Sequence, residues 1–174
     1  NDSVLYFYPK FGFTKVEEYQ YSKTVFTKVN TSTVRKLEIT DINDRNLLIH
    51  TVSNTVPFSQ IAMINNLSLV MFYCTSFMKN NLYYIKDYDV VVVAEYVHDT
   101  LYLQDVFSTI KISLDKVIDA LINEQTTKVV LGFTPQDDSS YEINPSKEEN
   151  TTLFVRAMNV DIFNKGMFSV LSHT

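Results

Sequence analysis

Residues 82–107 read LYYIKDYDVVVVAEYVHDTLYLQDVF, and this stretch predicts three successive β-strands. A turn is predicted near Asp87, and a second turn at His98-Asp99 is short enough for a hairpin. Residues 90–94 are apolar on both faces of a strand, which is typical of a central strand covered on each side. The stretch therefore predicts the middle of a sheet that has a layer packed on both faces.

Helices are predicted on either side of this stretch along the chain. Downstream, Ser113 is expected to cap a helix whose apolar residues keep the spacing of one helical face: Leu114, Val117, Ile118, Leu121 and Ile122. Upstream, a strand over residues 34–40 precedes a helix capped by Asp41, and residues 65–78 predict a second, buried helix. Further strands are predicted at residues 14–23, 128–135, 151–158 and 167–172, around a polar segment at 136–150. These elements together predict an α+β fold.

Composition excludes several classes of protein. The chain has 174 residues, of which 45% are hydrophobic, so it can bury the core of a full domain. Its one cysteine, Cys74, excludes an internal disulfide and favours the reducing cytoplasm, and we expect it to be a buried packing residue. A net charge of −5 without a basic stripe argues against nucleic-acid binding. No apolar run reaches the ~20 residues of a membrane span, so no membrane contact is predicted.

The first thirteen residues, NDSVLYFYPKFGF, form a second informative pattern. Leu5, Tyr8, Phe11 and Phe13 are spaced either as an aromatic core stripe or as part of a functional motif. Gly12 is expected to end a helical turn in a backbone conformation that side chains disfavour, so that a strand begins at Phe13.

This opening segment resembles the last conserved motif of the GNAT superfamily of acetyl-CoA-dependent N-acetyltransferases. The motif is usually Asn-x-x-Ala-x-x-x-Tyr-x-Lys-x-Gly-Phe, and the matching residues are Asn1, Val4, Tyr8, Lys10, Gly12 and Phe13, with Val4 in place of Ala. The resemblance implies that Tyr8 is the general acid that protonates the leaving coenzyme A thiolate, with Asn1 and Lys10 near the cofactor. A phenol with an ordinary pKa of ~10 suits a thiolate of comparable basicity.

A second resemblance to GNAT proteins covers residues 34–174 and rests on element order: strand, helix, helix, three antiparallel strands, helix, strand and further strands. It implies an α/β sandwich with a mixed, mostly antiparallel sheet flanked by helices. Where a family member has a glycine-rich loop for the pyrophosphate, this chain has FSTIKIS at 107–113. Ile110 and Ile112 would put β-branched side chains where a pyrophosphate needs bare backbone. The alternative is an ordinary α+β domain that shares the element order.

The two resemblances imply a division of the chain near residue 30. Residues 1–30 are expected to be the helix-strand remnant of a catalytic GNAT domain that lies upstream. Residues 31–174 are expected to be a GNAT-like C-terminal domain without the cofactor loop. The full-length protein would transfer an acetyl group from acetyl-CoA to an amine of a small molecule or peptide, whereas the fragment alone would be inactive and bind no cofactor. The second domain would shape the acceptor pocket, cover the catalytic domain or form a homo-oligomer.

The alternative function is a non-catalytic module for protein interaction or oligomerisation. Five tyrosines of the predicted three strands either face a protein partner or lie at the rim of a large core: Tyr83, Tyr84, Tyr88, Tyr96 and Tyr102. The histidines, His50, His98 and His173, lack metal-ligand spacing, so no metal site is predicted. Glu17 and Glu18 are either amine-binding residues, as the resemblance allows, or surface carboxylates.

Overall fold

The computed structural model describes residues 3–26, 32–146, 152–156 and 165–172. The helices are α1 (Ser3–Phe7), α2 (Ile42–Ser53), α3 (Leu67–Thr75) and α4 (Leu114–Leu121). The strands are β1 (Phe13–Val16), β2 (Glu18–Thr24), β3 (Val34–Lys36), β4 (Leu82–Ile85), β5 (Val90–Val97), β6 (Thr100–Ser108), β7 (Lys128–Leu131), β8 (Glu142–Ser146) and β9 (Leu153–Arg156). Short 3-10 helices lie at Tyr8–Phe11, Lys86–Tyr88 and Val170–Ser172.

Most strands of the described part form one sheet of seven strands in the order β3-β4-β5-β6-β7-β2-β8. The β6–β7 pair is parallel, and the other neighbours in this sheet are antiparallel. β1 and β9 form a separate antiparallel pair. The predicted α+β fold, with a mixed, mostly antiparallel sheet flanked by helices, is therefore confirmed.

Alternating side chains of β5 serve the two faces of the large sheet. Val90, Val92 and Ala94 pack with Val117, Ile118 and Leu121 of α4 in one core. Val91 and Val93 pack on the other face with buried residues of α2 and α3, including Leu48, Val70 and Cys74. The predicted central strand is thus covered on both sides, as its apolar sequence indicates.

Helices α2 and α4 begin where the sequence predicts, but the residues that precede them differ in how they cap the helix. The Asp41 carboxylate accepts hydrogen bonds from the amides of Asn43 (2.8 Å) and Asp44 (3.1 Å) and so caps α2. Ser113 precedes α4 at the expected place, but its side chain makes no capping hydrogen bond. The face predicted for α4 is confirmed, since Val117, Ile118 and Leu121 are buried.

Near the C-terminal end, one strand prediction is wrong and one strand was not predicted. Residues 167–172 form no strand; instead, they run into the 3-10 helix Val170–Ser172, where the Ser172 amide donates to the Ser169 carbonyl. Conversely, β8 lies within the segment predicted to be a polar loop. β8 is an edge strand, and an edge strand tolerates Pro145 and polar side chains because one of its sides bonds to no neighbouring strand.

The predicted strand over residues 14–23 is two strands in different sheets. β1 pairs with β9, whereas β2 inserts between β7 and β8 of the large sheet. The boundary near residue 30 therefore does not separate two sheets, because residues 18–24 share a sheet with residues 34–131.

Candidate functional site

The segment that resembles the GNAT motif forms a compact helical turn. α1 runs directly into the 3-10 helix Tyr8–Phe11, in which Pro9 stands in the first turn. Gly12 has φ +79° in the left-handed region, and its amide donates to the Pro9 carbonyl at 3.1 Å. A β-carbon at Gly12 would meet nothing within 4 Å, so backbone conformation, not space, favours glycine there. The predicted helix end and the strand start at Phe13 are confirmed.

Aromatic rings fix the ring of Tyr8. It stacks on Phe154 of β9 with 4.9 Å between ring centroids, and it meets the edges of Phe13 and Phe7 at 5.8 and 5.6 Å. The residue is 39% exposed, and its hydroxyl has no hydrogen-bond partner among the described residues. The structure thus holds the ring in place and leaves the phenol oxygen available to a ligand.

Of the other two predicted cofactor residues, Lys10 and Asn1, the structure describes only Lys10. Lys10 lies on the same 3-10 helix as Tyr8 and is exposed. Asn1 lies outside the described residues. Glu17 is exposed and accepts a hydrogen bond from the Tyr19 hydroxyl at 3.4 Å, while one Glu18 oxygen accepts from the Phe168 amide at 3.4 Å.

The residues around Tyr8 form an apolar surface that we call the N-terminal aromatic surface. It consists of the exposed side chains Leu5, Tyr6, Phe7, Tyr8 and Phe11. Phe11 is 59% exposed, and Leu5 and Tyr8 are each 39% exposed, so the interpretation as a buried core stripe does not describe these three residues. Exposed apolar patches in proteins commonly belong to protein-interaction, membrane-interaction or ligand-binding surfaces.

The segment FSTIKIS does not offer a place for a pyrophosphate. Ile110 is 55% exposed, and Ile112 packs against the core below α4. A cleft of about 200 Å³ lies at the start of α4, and both basic and acidic side chains line it, among them Lys111, Asp115 and Asp137. Because Ile110 and Ile112 place β-branched side chains in FSTIKIS, this segment lacks the bare backbone that a pyrophosphate-binding loop requires.

Other groups in this cleft are held by neighbours within the chain. Lys23 forms an ion pair with Asp115, and its ammonium lies 5.0 Å from the centre of the Tyr141 ring. The Tyr141 hydroxyl is buried without a hydrogen-bond partner among the described residues. Its burial, and then the charges of Asp115 and Asp137, raise the pKa of this phenol. It therefore remains a neutral donor.

The tyrosines of the three central strands lie mostly against α4. Tyr83 and Tyr96 pack edge to face at 6.0 Å, and the Tyr96 hydroxyl donates to the Leu121 carbonyl at 2.7 Å. Burial raises the pKa of Tyr96 to about 12. On the opposite face, the Tyr84 hydroxyl donates to Asp89 at 2.8 Å. For Tyr83 and Tyr96, the structure shows the rim of a core instead of a face open to a partner.

The described residues contain no group of three or more His, Cys, Asp or Glu side chains that could hold a metal ion. His50 and His98 are exposed on α2 and in the hairpin turn, and His173 lies outside the described part. Burial and the nearby Asp105 raise the pKa of Cys74 to about 12, so the packing assignment of this thiol is confirmed. In the described ranges, no helix has the length and apolarity needed to cross a membrane.

The sequence analysis missed a contact in the middle of the large sheet. Asp105 of β6 accepts a hydrogen bond from Ser169 of the C-terminal segment, and burial raises the pKa of its carboxyl to about 6. The sequence could have indicated this contact, because Asp105 is an acidic residue in the largely apolar stretch LYLQDVF.

Comparison with known proteins gives a limited result. No protein-family model matches the chain, and no curated protein matches it. Among solved structures, a match is a conserved protein of unknown function from Enterococcus faecalis V583, described as a probable N-acyltransferase. The identity is 14% and the TM-score 0.48, over 80% of this chain and 41% of that chain. The chain therefore spans about two fifths of the length of that structure.

Proposed function

We propose that this chain is the C-terminal portion of a GNAT-type N-acetyltransferase. In the full-length protein, an acetyl group would pass from acetyl-CoA to an amine of a small molecule or peptide. The observation that carries this proposal is the geometry of Tyr8, whose ring is held by Phe7, Phe13 and Phe154 while its hydroxyl is left without a partner in the described part. A fixed ring with an available hydroxyl is what a general acid requires.

The role of Tyr8 follows from the bond that breaks. The amine nitrogen would bond to the acetyl carbon of acetyl-CoA as the thioester C–S bond breaks, and coenzyme A would leave as a thiolate that needs a proton. Tyr8 would hold that proton on Oη and donate it to the sulfur. Lys10, exposed on the same turn, and Asn1 would lie near the cofactor. Most of the cofactor contacts would come from the upstream part of the protein, since Ile110 and Ile112 stand in FSTIKIS where a pyrophosphate needs bare backbone.

The element order supports the second half of the proposal. From β3 to β7 the chain forms strand, helix, helix, three antiparallel strands, helix and strand. This is the order on which the GNAT resemblance of residues 34–174 rests. We propose that these residues form a GNAT-like domain that shapes the acceptor pocket, covers the catalytic domain or forms a homo-oligomer in the cytoplasm.

The N-terminal aromatic surface favours a second candidate, a non-catalytic interaction module. Tyr6 and Phe11 expose most of their side chains although they are large and apolar. Docking of a protein partner on this surface would remove apolar area from water without any chemistry at Tyr8.

Replacement of Tyr8 by Phe in the full-length protein distinguishes the two candidates. As the general acid, Tyr8→Phe should lower the turnover of acetyl-CoA with an amine acceptor by roughly 10²–10⁴-fold, because the thiolate loses its proton donor. Tyr6→Phe is the matched control, since Tyr6 is 75% exposed on the same turn and should leave turnover unchanged. Equal turnover in the Tyr8→Phe variant and the wild type would remove Tyr8 from the mechanism.

A further inference from the structure

β6 and β7 diverge after four residue pairs. Their parallel register runs from Thr100↔Lys128 to Leu103↔Leu131. β6 then continues to Ser108, whereas the chain after Leu131 turns toward residues 59–60, where the Gln60 amide donates to the Thr134 carbonyl. Beyond the close approach of Gly132 to Gln104, a crevice therefore opens between residues 105–108 and 133–134, at the carboxyl ends of the parallel pair. Crevices of this kind are where open sheets commonly bind ligands.

The chain fills this crevice with its own residues 165–172, which we call the C-terminal strap. On one wall, the Val170 amide donates to the Gly132 carbonyl at 2.9 Å, and the Met167 amide donates to Thr134 Oγ1 at 2.7 Å. On the other wall, Ser169 Oγ donates to Asp105 Oδ2 at 2.6 Å. The strap therefore bridges both walls, and Ser169 is its contact with β6 at the centre.

The C-terminal strap is also anchored by apolar side chains. Leu171 is fully buried in the core that Val70 and Cys74 of α3 share with β5, and Met167 is 6% exposed. The backbone of the strap, however, makes few of the regular hydrogen bonds that pair a strand with its neighbours, because residues 170–172 form a 3-10 helix.

The strap also bonds to β2, where the Tyr19 amide donates to the Gly166 carbonyl at 3.2 Å, the Phe168 amide donates to Glu18 at 3.4 Å, and the Tyr21 hydroxyl donates to the Lys165 carbonyl. All these bonds lie outside the strand ladder, so the segment can open without unfolding the sheet.

The surroundings of Asp105 are apolar and uncharged in the described part of the chain. From α3, the Cys74 thiol faces it and stays neutral because its own pKa is raised to about 12. From the strap comes the Ser169 hydroxyl, and across β5 its neighbour in register is Val93. No ion pair to Asp105 is present among the described residues, and its Oδ1 accepts only the Val106 amide there, at 2.9 Å.

We propose that the C-terminal strap closes this crevice reversibly and that the Asp105–Ser169 contact is its proton-responsive latch. In the closed state burial raises the pKa of Asp105 to about 6, although the hydrogen bonds from Ser169 and the Val106 amide act in the opposite direction, so the closed state favours the neutral carboxyl. Opening hydrates the carboxylate and returns its pKa toward the ordinary value. Because the pKa of Asp105 is lower in the open state, the open state binds fewer protons at this carboxyl. A rise in pH from the ordinary carboxyl pKa to about 6 therefore favours opening.

Hydrogen exchange of the strap amides tests this proposal on the whole 174-residue chain. After correction for intrinsic exchange rates, the opening constant of residues 166–172 should rise about tenfold from pH 5 to pH 7 in the wild type. Asp105→Asn should remove this rise, since its amide does not titrate. Glu95→Gln is the matched control: Glu95 is an exposed carboxylate on the neighbouring strand β5, and this variant should behave as the wild type.

Two results would overturn the proposal. In one, Asp105→Asn keeps the pH dependence of the wild type. In the other, the strap amides exchange at the same rate as those of β5 at both pH values, so that the strap opens only with the whole molecule. If Asp105→Asn fails to fold, the wild-type series alone decides, because an equal opening constant at pH 5 and pH 7 contradicts a proton-responsive latch.

Discussion

At the scale of single residues, Gly132 and Gly12 serve different purposes. Gly12 adopts φ +79° in open space, so it is required by backbone conformation. Gly132 lies at the head of the crevice, where a β-carbon would lie 2.6 Å from Gln104 Oε1 and 2.8 Å from the Gln104 carbonyl oxygen. It is therefore required by the close approach of β6.

Gly132→Ala should destabilise the fold by about 1–3 kcal/mol, because the added methyl group must displace the backbone of β6. The measurement is the free energy of unfolding in denaturant, compared with the wild type. The matched control is Ala94→Gly on β5, which removes a methyl group from the same sheet without adding a clash. An unfolding free energy of Gly132→Ala within error of the wild type would show that β6 and β7 adjust without strain.

Tyr8 marks the limit of what a residue pattern predicts. The sequence predicts a helical turn that contains Tyr8, ends at Gly12 and is followed by a strand, and the structure has this geometry. The sequence could not show that Phe154, far along the chain, stacks on Tyr8, since this contact depends on the pairing of β1 with β9. Its chemical role stays a prediction that turnover must test.

At the scale of elements, the starts of α2 and α4 differ in how they are capped. Asp41 satisfies two amides of α2, whereas Ser113 makes no capping hydrogen bond to α4. Both residues belong to the types that favour this position, so sequence alone predicts the same role for both.

Asp41→Ala should cost about 1 kcal/mol of stability, because the amides of Asn43 and Asp44 lose their acceptor. Ser113→Ala should leave the unfolding free energy within about 0.5 kcal/mol of the wild type. Denaturant unfolding of both variants provides the measurement, and each serves as the control for the other. Equal losses in the two variants would contradict the difference in capping.

Elements with strong local signals were predictable, and elements held by distant partners were not. Helix α4 follows its apolar spacing, and β4, β5 and β6 follow their alternation and short turns. β8 was missed because its polar residues and Pro145 are acceptable only at an edge. The C-terminal strap was misassigned because MFSVLS has the composition of a strand, while its contacts with Gly132, Thr134 and Asp105 replace strand pairing.

At the scale of the whole molecule, the large sheet includes or contacts segments from the N-terminal, central and C-terminal parts of the chain. β2, from the N-terminal part, lies between β7 and β8, and the C-terminal strap fills the crevice between β6 and β7. Strand order of this kind depends on contacts far apart in sequence, so local patterns do not reveal it. The side chains of the N-terminal aromatic surface remain exposed.

The central claim is that the chain is part of an acetyltransferase whose cofactor contacts lie mostly upstream. Calorimetric titration with acetyl-CoA tests it directly, on residues 1–174 and on the proposed full-length enzyme, a longer protein that would extend upstream of Asn1. The account predicts binding by the longer protein and none by residues 1–174. Binding by residues 1–174 would contradict the conclusion that FSTIKIS does not fit the cofactor, and binding by neither would contradict the acetyltransferase proposal and leave the interaction module.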